Sequence, residues 1–292
     1  MKRFILFLAI VFTNLLSTPL KQADLIIFSY NRPLQLYALL ESIEIYITGI
    51  NHTFIICRAG DSNFQKAYQE VQKKFPSVSF LFQSTHANRD FKPLTMKAIQ
   101  QFPSQYIIFA VDDIIVKDSV DMDECIRALE QTEAYGFFLR IGENTYAKYG
   151  TIQPDFLPEF TGVTKDILMW QFDKTTSYWR YSNTVDMTLY RKNHVIQHFS
   201  QMHFQTPNRL ESSWCGRTPQ KKLGLCFRQS KIINIPLNRI QNDFTTNPHM
   251  NFASPEELLI KFNQGKKIDI NPLFRMNNSA PYLHYTPTFI ER

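Results

Sequence analysis

QYIIFAVDDIIVK, the stretch from Gln105 to Lys117, places two adjacent aspartates inside an apolar segment. The strand-forming run from Tyr106 to Ala110 leads into Asp112 and Asp113, and apolar residues follow them, which is typical of a strand in a sheet covered on both faces. A buried carboxylate is costly unless a metal ion, a ligand or a basic side chain compensates it. The alternative is an acidic strand end that only forms a turn. The acid pair is therefore a candidate binding site.

Three further strands precede this segment, and helical stretches separate all four. Apolar runs at 24–29, 53–57 and 78–83 predict the strands, and helices are predicted from 34 to 43, from 63 to about 75 and from Pro93 to Phe102. Helices between successive strands favour right-handed βαβ units, so we expect an α/β fold with a mainly parallel sheet. Ligands bind such sheets at the carboxyl ends of the strands. The polar residues expected at that rim are Tyr30, Arg32, Asp61, Arg89, Asp112 and Asp113.

After Asp118 the sequence no longer shows a regular alternation of strands and helices. A helix from 122 to 131 and strands at 135–141 and 231–237 are predicted, and the span 144–164 has little periodicity. A capped helix is expected to begin at Ser254-Pro255-Glu256-Glu257 and to end at Gly265, followed by a coil tail from 271 to 292. Five aromatic residues in the middle of the chain are interpreted as side chains that cover the rim of the sheet, and packing in the core is the alternative for each of them. These residues are Trp170, Phe172, Tyr178, Trp179 and Tyr181.

Glu211 has two interpretations. It follows Asn208 by three positions, which is the spacing of a helix capping box. A carboxylate at a helix N-terminus is also favoured in its ionised form, which suits a general base. Asp186 and Glu159 are competing candidates for that base.

Composition and charge limit the classes of function. The 292 residues carry a formal charge of +6, and the 32 basic residues are scattered, which favours a small phosphate-bearing ligand over nucleic acid. Lys2 and Arg3 precede an apolar run from 4 to 16, so residues 1–23 are predicted to be a secretory signal peptide, with a short membrane anchor as the alternative. If the chain is exported, Cys215 and Cys226 could form a disulfide.

The order of these motifs resembles that of the GT-A nucleotide-sugar glycosyltransferases, and most closely the inverting enzymes of the family 2 type. The resemblance is carried by Ser29-Tyr30-Asn31-Arg32-Pro33 after the first strand, Asp61-Ser62-Asn63 after the second, Ala110-Val111-Asp112-Asp113, and a glutamate about a hundred residues later. It covers roughly residues 24–239. The usual Asp-X-Asp motif of that family is altered here, because Val111 stands where the first acid would be.

The resemblance implies a role for each rim residue. Asp113 would ligate the Mn²⁺ or Mg²⁺ that bridges the diphosphate, and Glu211 would deprotonate the acceptor hydroxyl. Tyr30 would flank the nucleobase, Arg58 or Asp61 would contact the edge of the base, Arg89 or Lys92 would lie near the base or diphosphate, and Asp112 would bind the ribose or sugar. The full set of expected nucleotide-sugar contacts is Tyr30, Arg32, Arg58, Asp61, Arg89, Lys92 and Asp112.

The resemblance implies a single-domain enzyme, and the predicted leader places it in the secretory pathway or exports it, with the cytoplasmic face of a membrane as the alternative. Residues 24–120 would form the half that binds a UDP- or GDP-linked sugar, and residues 121–292 the half that binds a glycan, lipid or protein acceptor. An exported glycan-binding module on the same fold is one alternative. A nucleotidyltransferase is the other, although the segment after the first strand is not the glycine-rich phosphate loop that such an enzyme would normally have.

Overall fold

The computed structural model describes residues 21–148, 156–241 and 250–292, so most of the predicted leader lies outside the described residues. Seven helices are found in the described part: α1 (Pro33–Tyr46), α2 (Ser62–Lys74), α3 (Ala87–Gln100), α4 (Met122–Gln131), α5 (Lys192–Ser200), α6 (Pro207–Cys215) and α7 (Pro255–Asn263). The strands there are β1 (Ala23–Tyr30), β2 (Ile47–Thr48), β3 (Ile50–Arg58), β4 (Val78–Phe82), β5 (Tyr106–Val111), β6 (Ile114–Val116), β7 (Val120–Asp121), β8 (Ala134–Phe138), β9 (Thr161–Gly162), β10 (Ile167–Gln171), β11 (Thr188–Arg191), β12 (Leu223–Phe227), β13 (Ile232–Asn234), β14 (Lys266–Ile268) and β15 (Phe289–Glu291).

The main sheet in the described residues has nine strands, in the order β4-β3-β1-β5-β11-β8-β12-β10-β9. β4, β3, β1 and β5 are parallel to one another. β11 and β10 run against their neighbours, so seven of the nine strands point the same way. The predicted α/β fold with a mainly parallel sheet flanked by helices is confirmed.

β1 alternates its side chains between two hydrophobic cores, one on each face of the sheet. Leu25 and Ile27 pack in the core that includes α1, and Ile26 and Phe28 pack in the core that includes Phe91 of α3. All four β1 side chains are buried, as the two-residue period of a strand between two layers requires. The neighbouring acid pair after β5 is therefore anchored to a sheet that is packed on both sides.

The aromatic residues of the middle third belong mostly to the core. Trp170, Phe172 and Trp179 are buried, and the indole Nε1 of Trp170 donates a hydrogen bond of 2.9 Å to the carbonyl of Trp179. For these three residues the interpretation as core packing is confirmed, because their rings fill the layer beneath the sheet. Tyr178 and Tyr181 do line a cavity.

Two predicted boundaries are also wrong. α3 begins at Ala87, well before Pro93, because Asp90 accepts hydrogen bonds from the backbone of Ser84 at 2.6 Å and from Gln83 at 3.2 Å, which tie its first turn to the preceding loop. The C-terminal tail is not all coil, since β15 pairs with β14.

The helix predicted near the C-terminus is confirmed as α7. The hydroxyl of Ser254 accepts from the backbone of Glu257, whose carboxylate accepts from the backbone of Ser254, and Pro255 occupies the first turn. Gly265 follows the helix at φ +80°, a conformation that glycine adopts without strain. All four cysteines are free, so the optional Cys215–Cys226 disulfide is not formed. No helix in the described ranges is long and apolar enough to span a bilayer.

Candidate active site

Three parallel strands end side by side at one cleft. Tyr30 at the end of β1 pairs with Arg58 at the end of β3, and Phe28 pairs with Val111 at the end of β5. The opening at these ends, which we call the main cleft, has a volume of about 570 Å³, within the range of small-molecule sites, roughly 300–1,000 Å³. The candidate site residues from the sequence that line it are Tyr30, Arg32, Arg58, Asp112, Asp113, Asp186 and Glu211.

The turns after β1 and β3 are tied together. The guanidinium carbon of Arg58 lies 4.6 Å from the centre of the Tyr30 ring, which is a cation–π contact. Asn31 adopts φ 50°, and its side-chain oxygen accepts a 2.6 Å hydrogen bond from the backbone of Gly60. The Tyr30 ring is therefore held in place at the wall of the main cleft.

Three of the predicted nucleotide contacts are not part of this lining. Asp61 is the N-cap of α2 and accepts from the backbone of Asn63 at 2.7 Å and of Phe64 at 3.1 Å. Arg89 is exposed on α3. The ammonium of Lys92 donates to two backbone carbonyls near the end of α5. None of these three residues lines the main cleft.

Asp112 and Arg32 form a largely buried pair at the floor of the main cleft. Asp112 is 3% exposed, and its carboxylate accepts from the Ser29 hydroxyl at 2.9 Å, the Tyr30 backbone at 3.2 Å and Arg32 Nη1 at 3.0 Å. Arg32 also donates from Nε to the side chain of Asn238 at 2.9 Å and from Nη2 to the backbone carbonyl of Asn238. Both groups are thus engaged internally, and they fix the geometry around Tyr30.

Asp113 is the less neutralised member of the acid pair. Its side chain is 15% exposed, and Oδ2 lies 4.0 Å from Arg32 Nη1, beyond hydrogen-bond distance. Oδ1 accepts a 3.0 Å hydrogen bond from Asn234. Burial raises the pKa of Asp113 to about 6; Arg32 opposes this rise, while the nearby charges of Asp112 and Asp186 add to it.

Asn234 joins this acid to a third one. Its Nδ2 also donates to Asp186 Oδ1 at 3.2 Å, and the other oxygen of Asp186 accepts from Arg140. Neither Asn234 nor Arg140 was predicted to be a site residue. A signal for Asn234 was available, because it is a polar residue inside the apolar strand KIINIPL.

Glu211 is not a capping residue. α6 begins at Pro207, and the hydroxyl of Thr206 caps it by accepting from Arg209. The capping-box interpretation is therefore wrong, because the helix starts two residues earlier than that spacing requires. Glu211 instead turns back: its Oε1 accepts from the Thr184 hydroxyl at 2.6 Å and the Val185 backbone at 3.1 Å.

The second oxygen of Glu211 remains open. Oε2 accepts no hydrogen bond from any described residue. Burial, and after it the charge of Asp186, raises the pKa of Glu211. Of the two competitors for the base, Asp186 has both oxygens engaged, and Glu159 is exposed outside both cavities.

The acids at the sheet end outnumber the cations that contact them. Among the described residues, the cations within 4.0 Å of Asp112, Asp113 and Asp186 are Arg32 and Arg140. The described ranges hold no group of three His, Cys, Asp or Glu side chains that could enclose a metal. A Mg²⁺ or Mn²⁺ ion held with a diphosphate needs only one or two carboxylates, since phosphates and water supply its other oxygens. The open Oδ2 of Asp113 and the local surplus of negative charge fit such a site.

A second cavity, of about 340 Å³, adjoins the main cleft. The two share a wall, whose members are Asp186, Asn208, Glu211 and Tyr282. The second cavity is further lined by Arg140, Tyr178, Tyr181, Ser212 and Cys215. Glu211 therefore faces both spaces.

Strained backbone lies next to several of these side chains. Met187 follows Asp186 with φ 46°, and Ser177 precedes Tyr178 with φ 53°. Such conformations cost on the order of 1–3 kcal/mol for residues other than glycine and tend to occur at functional sites. This strain supports a site at the two cavities.

No protein-family model matches the sequence, and no curated protein matches it. Similar solved structures include S. aureus TarS 1-349, at 12% identity and a TM-score of 0.48 over 70% of this chain and 57% of that one. They also include a 4-diphosphocytidyl-2C-methyl-D-erythritol synthase from Anaerococcus prevotii, at 11% identity and a TM-score of 0.41 over 84% and 96%. A third is the mannosyltransferase PcManGT from Pyrobaculum calidifontis in complex with GDP-Man and Mn²⁺, at 9% identity and a TM-score of 0.34 over 63% and 53%. The chain spans little more than half of TarS 1-349, and because all three TM-scores are below 0.5, its function is inferred from its own residues.

Proposed function

We propose that this chain is a glycosyltransferase that transfers a sugar, with inversion, from a UDP- or GDP-linked donor to an acceptor hydroxyl. The observation that carries the proposal is the position of Glu211 on the wall between two adjoining cavities, with Oε2 open. A donor in the main cleft and an acceptor in the second cavity would meet at this carboxylate. A general base must lie within hydrogen-bond reach of the proton that it removes.

The lining of the main cleft suits a nucleoside diphosphate. Arg58, Arg209 and Arg239 line it, and guanidinium groups bind phosphate oxygens in pairs of hydrogen bonds. The fixed ring of Tyr30 offers a face to a nucleobase. Asp113 would hold a Mn²⁺ or Mg²⁺ ion, which when bound would neutralise the charge that develops on the leaving diphosphate.

The reaction would proceed in one displacement. Glu211 Oε2 takes the proton of the acceptor hydroxyl while the acceptor oxygen forms a bond to the anomeric carbon. The bond from that carbon to the diphosphate breaks, and its electron pair leaves with the diphosphate. The raised pKa of Glu211 makes this carboxylate a stronger base than an exposed glutamate.

The Glu211→Gln variant tests this assignment. Loss of a general base costs ~10²–10⁴-fold in rate, so transfer from a nucleotide sugar should fall by that factor. The rise in melting temperature that the donor produces should be unchanged, because donor binding does not need the base. Glu256→Gln in the first turn of α7 is the matched control. A Glu211→Gln enzyme that retains transfer within about 10-fold of the wild type would move the base to another residue.

The same assays separate the alternative functions. A nucleotidyltransferase would release pyrophosphate from a nucleoside triphosphate, and a glycan-binding module would bind saccharides without any stabilisation by nucleotide sugars. Export of the enzyme, and its association with a membrane through the N-terminal segment, stay predictions.

A further inference from the structure

The lining of the second cavity restricts what can enter it. Its charged side chains are Arg140, Asp186 and Glu211. Arg140 is paired with Asp186, which leaves Glu211 as the charge without an ion-pair partner within 4.0 Å among the described residues. A phosphate or carboxylate in this space would face the carboxylate of Glu211, so the cavity favours a neutral ligand.

The guanidinium of Arg140 favours a ligand that carries hydrogen-bond-accepting oxygen atoms. Its guanidinium carbon lies 4.4 Å from the centre of the Tyr282 ring and 5.6 Å from that of Tyr178. Nη1 donates to Asp186, but Nε and Nη2 are buried and have no hydrogen-bond partner among the residues that the structure describes. Buried donors are nearly always satisfied, and an unpaired one is costly. Neutral hydroxyl or ether oxygens would satisfy these donors without opposing Glu211.

The remaining walls suit a ring that has an apolar face and polar edges, such as a pyranose. Tyr178 and Tyr181 line the cavity together with Phe138 and Ile141, and a tyrosine combines an apolar ring with a polar tip. Tyr181 is 54% exposed, so the cavity reaches solvent beside it. A ligand bound here can therefore continue outward past Tyr181.

We infer that the second cavity binds the uncharged terminal sugar of a glycan acceptor, with its ring against Tyr178 and Tyr181 and its oxygens accepting from Arg140. This inference rests on the proposed function, of which it specifies the acceptor class. A phosphorylated lipid and a protein side chain are the competing acceptors, and both are outcomes of the test below.

Cys215 provides a built-in reporter. It is exposed and lines the second cavity but not the main cleft, and the three other cysteines of the chain are buried. Alkylation by N-ethylmaleimide, followed by mass spectrometry, should therefore modify Cys215 first. Neutral trisaccharides ending in glucose, galactose, mannose or N-acetylglucosamine are the probes, and a trisaccharide ending in sialic acid, a polyprenyl phosphate and a serine-containing peptide are the comparisons.

The expected result is that at least one neutral trisaccharide slows Cys215 alkylation several-fold at saturation, whereas the anionic and peptide comparisons do not. Tyr181→Ala should abolish this protection. Because Tyr181 is exposed, the variant should fold, whereas Arg140→Met removes a buried partner and serves as a second variant only if it is folded. Tyr146→Ala, at an exposed tyrosine outside both cavities, should protect as the wild type does.

Protection by a phosphate, a sialylated sugar or the peptide, and none by neutral trisaccharides, would overturn the inference. So would equal protection in the Tyr181→Ala variant. Donor binding is followed in parallel by the rise in melting temperature with nucleotide sugars. If donors bind but no neutral sugar protects Cys215, the inference fails and the proposed function stands; if sugars protect but no donor binds, the proposed function fails and the saccharide site stands.

Discussion

The side-chain amide of Asn234 donates a 3.0 Å hydrogen bond to the carboxylate of Asp113. The same nitrogen reaches Asp186 at 3.2 Å, so one neutral side chain separates two acids that repel each other. This arrangement holds Asp113 in place without neutralising it. Burial raises the pKa of Asp113 to about 6, although the hydrogen bond from Asn234 acts in the opposite direction.

The raised pKa of Asp113 predicts a pH-dependent cost to stability. The folded chain binds a proton on the Asp113 carboxylate more tightly than the unfolded chain does. The contribution of Asp113 to the free energy of unfolding is therefore most favourable below pH 3.8, and it is lost as the pH rises through about 6. Asp113→Asn should therefore increase the free energy of unfolding at pH 7.5, by up to about 3 kcal/mol. At pH 4 the difference should be close to zero. Denaturant unfolding at both pH values measures it.

Asp118→Asn is the control of opposite sign. Hydrogen bonds from Lys231 and Arg275 lower the pKa of Asp118 against the effect of burial. The stabilising contribution of Asp118 to the folded state is therefore present above the ordinary pKa of an aspartate and is lost as the pH falls. An Asp113→Asn protein that is less stable than the wild type at pH 7.5 would contradict the assignment of Asp113 as a buried acid that its neighbours only partly neutralise.

Arg32 is predicted to stabilise the fold through its ion pair with Asp112. Arg32→Met leaves the carboxylate of Asp112 buried without its cation, and breaking such a pair from one side costs ~3–5 kcal/mol. Adding Asp112→Asn should recover part of the loss, because the uncompensated charge is then gone. Denaturant unfolding of the single and double variants measures the coupling. A loss below about 1 kcal/mol in Arg32→Met would show that the pair is not the anchor described here.

Asp61 is predicted to stabilise α2 without contacting the donor. Asp61→Ala removes an N-cap and should cost about 1 kcal/mol, whereas Asp61→Asn keeps the cap and should cost less. Neither change should alter the dissociation constant of a nucleotide sugar. A tenfold weaker donor affinity in both variants would restore the base-binding role that the sequence resemblance implies.

Tyr30 is predicted to contribute a stacking surface for the nucleobase. Alanine substitutions of rings that stack on bases cost ~1–3 kcal/mol, which corresponds to roughly 5–150-fold in affinity. Tyr30→Ala should weaken UDP or GDP binding by a factor in this range, and Tyr30→Phe should bind almost normally because the ring remains. Calorimetric titration compares the three proteins, and full affinity in Tyr30→Ala would place the base elsewhere.

Local patterns in the sequence were sufficient to predict the first half of the fold. The apolar runs before Tyr30, Arg58 and Asp112 became β1, β3 and β5 in one parallel sheet, because strand alternation and βαβ connection are set by near neighbours. The division into a donor half and an acceptor half at residue 120 stays a prediction.

Residues far apart in the chain could not be paired from local patterns. Asn234 reaches Asp113 across 121 positions, and Asn238 reaches Arg32 across 206. The capping-box spacing at Glu211 misled for a similar reason, because a tertiary contact with Thr184 and Val185 takes the side chain away from the helix start. The periodicity of a strand does not predict contacts between residues that are far apart in the chain. Arg140 and the second cavity were therefore found only in the structure.

The most direct measurement of the central claim is a calorimetric titration of nucleotide sugars into the wild type and Asp113→Asn, at pH 7.5, with and without Mn²⁺. We predict that a UDP- or GDP-linked sugar binds the wild type, that Mn²⁺ strengthens this binding at least tenfold, and that Asp113→Asn abolishes the Mn²⁺ effect while remaining folded. Binding that is equally strong in the variant, or the absence of binding by any nucleotide sugar to the wild type, would contradict the account.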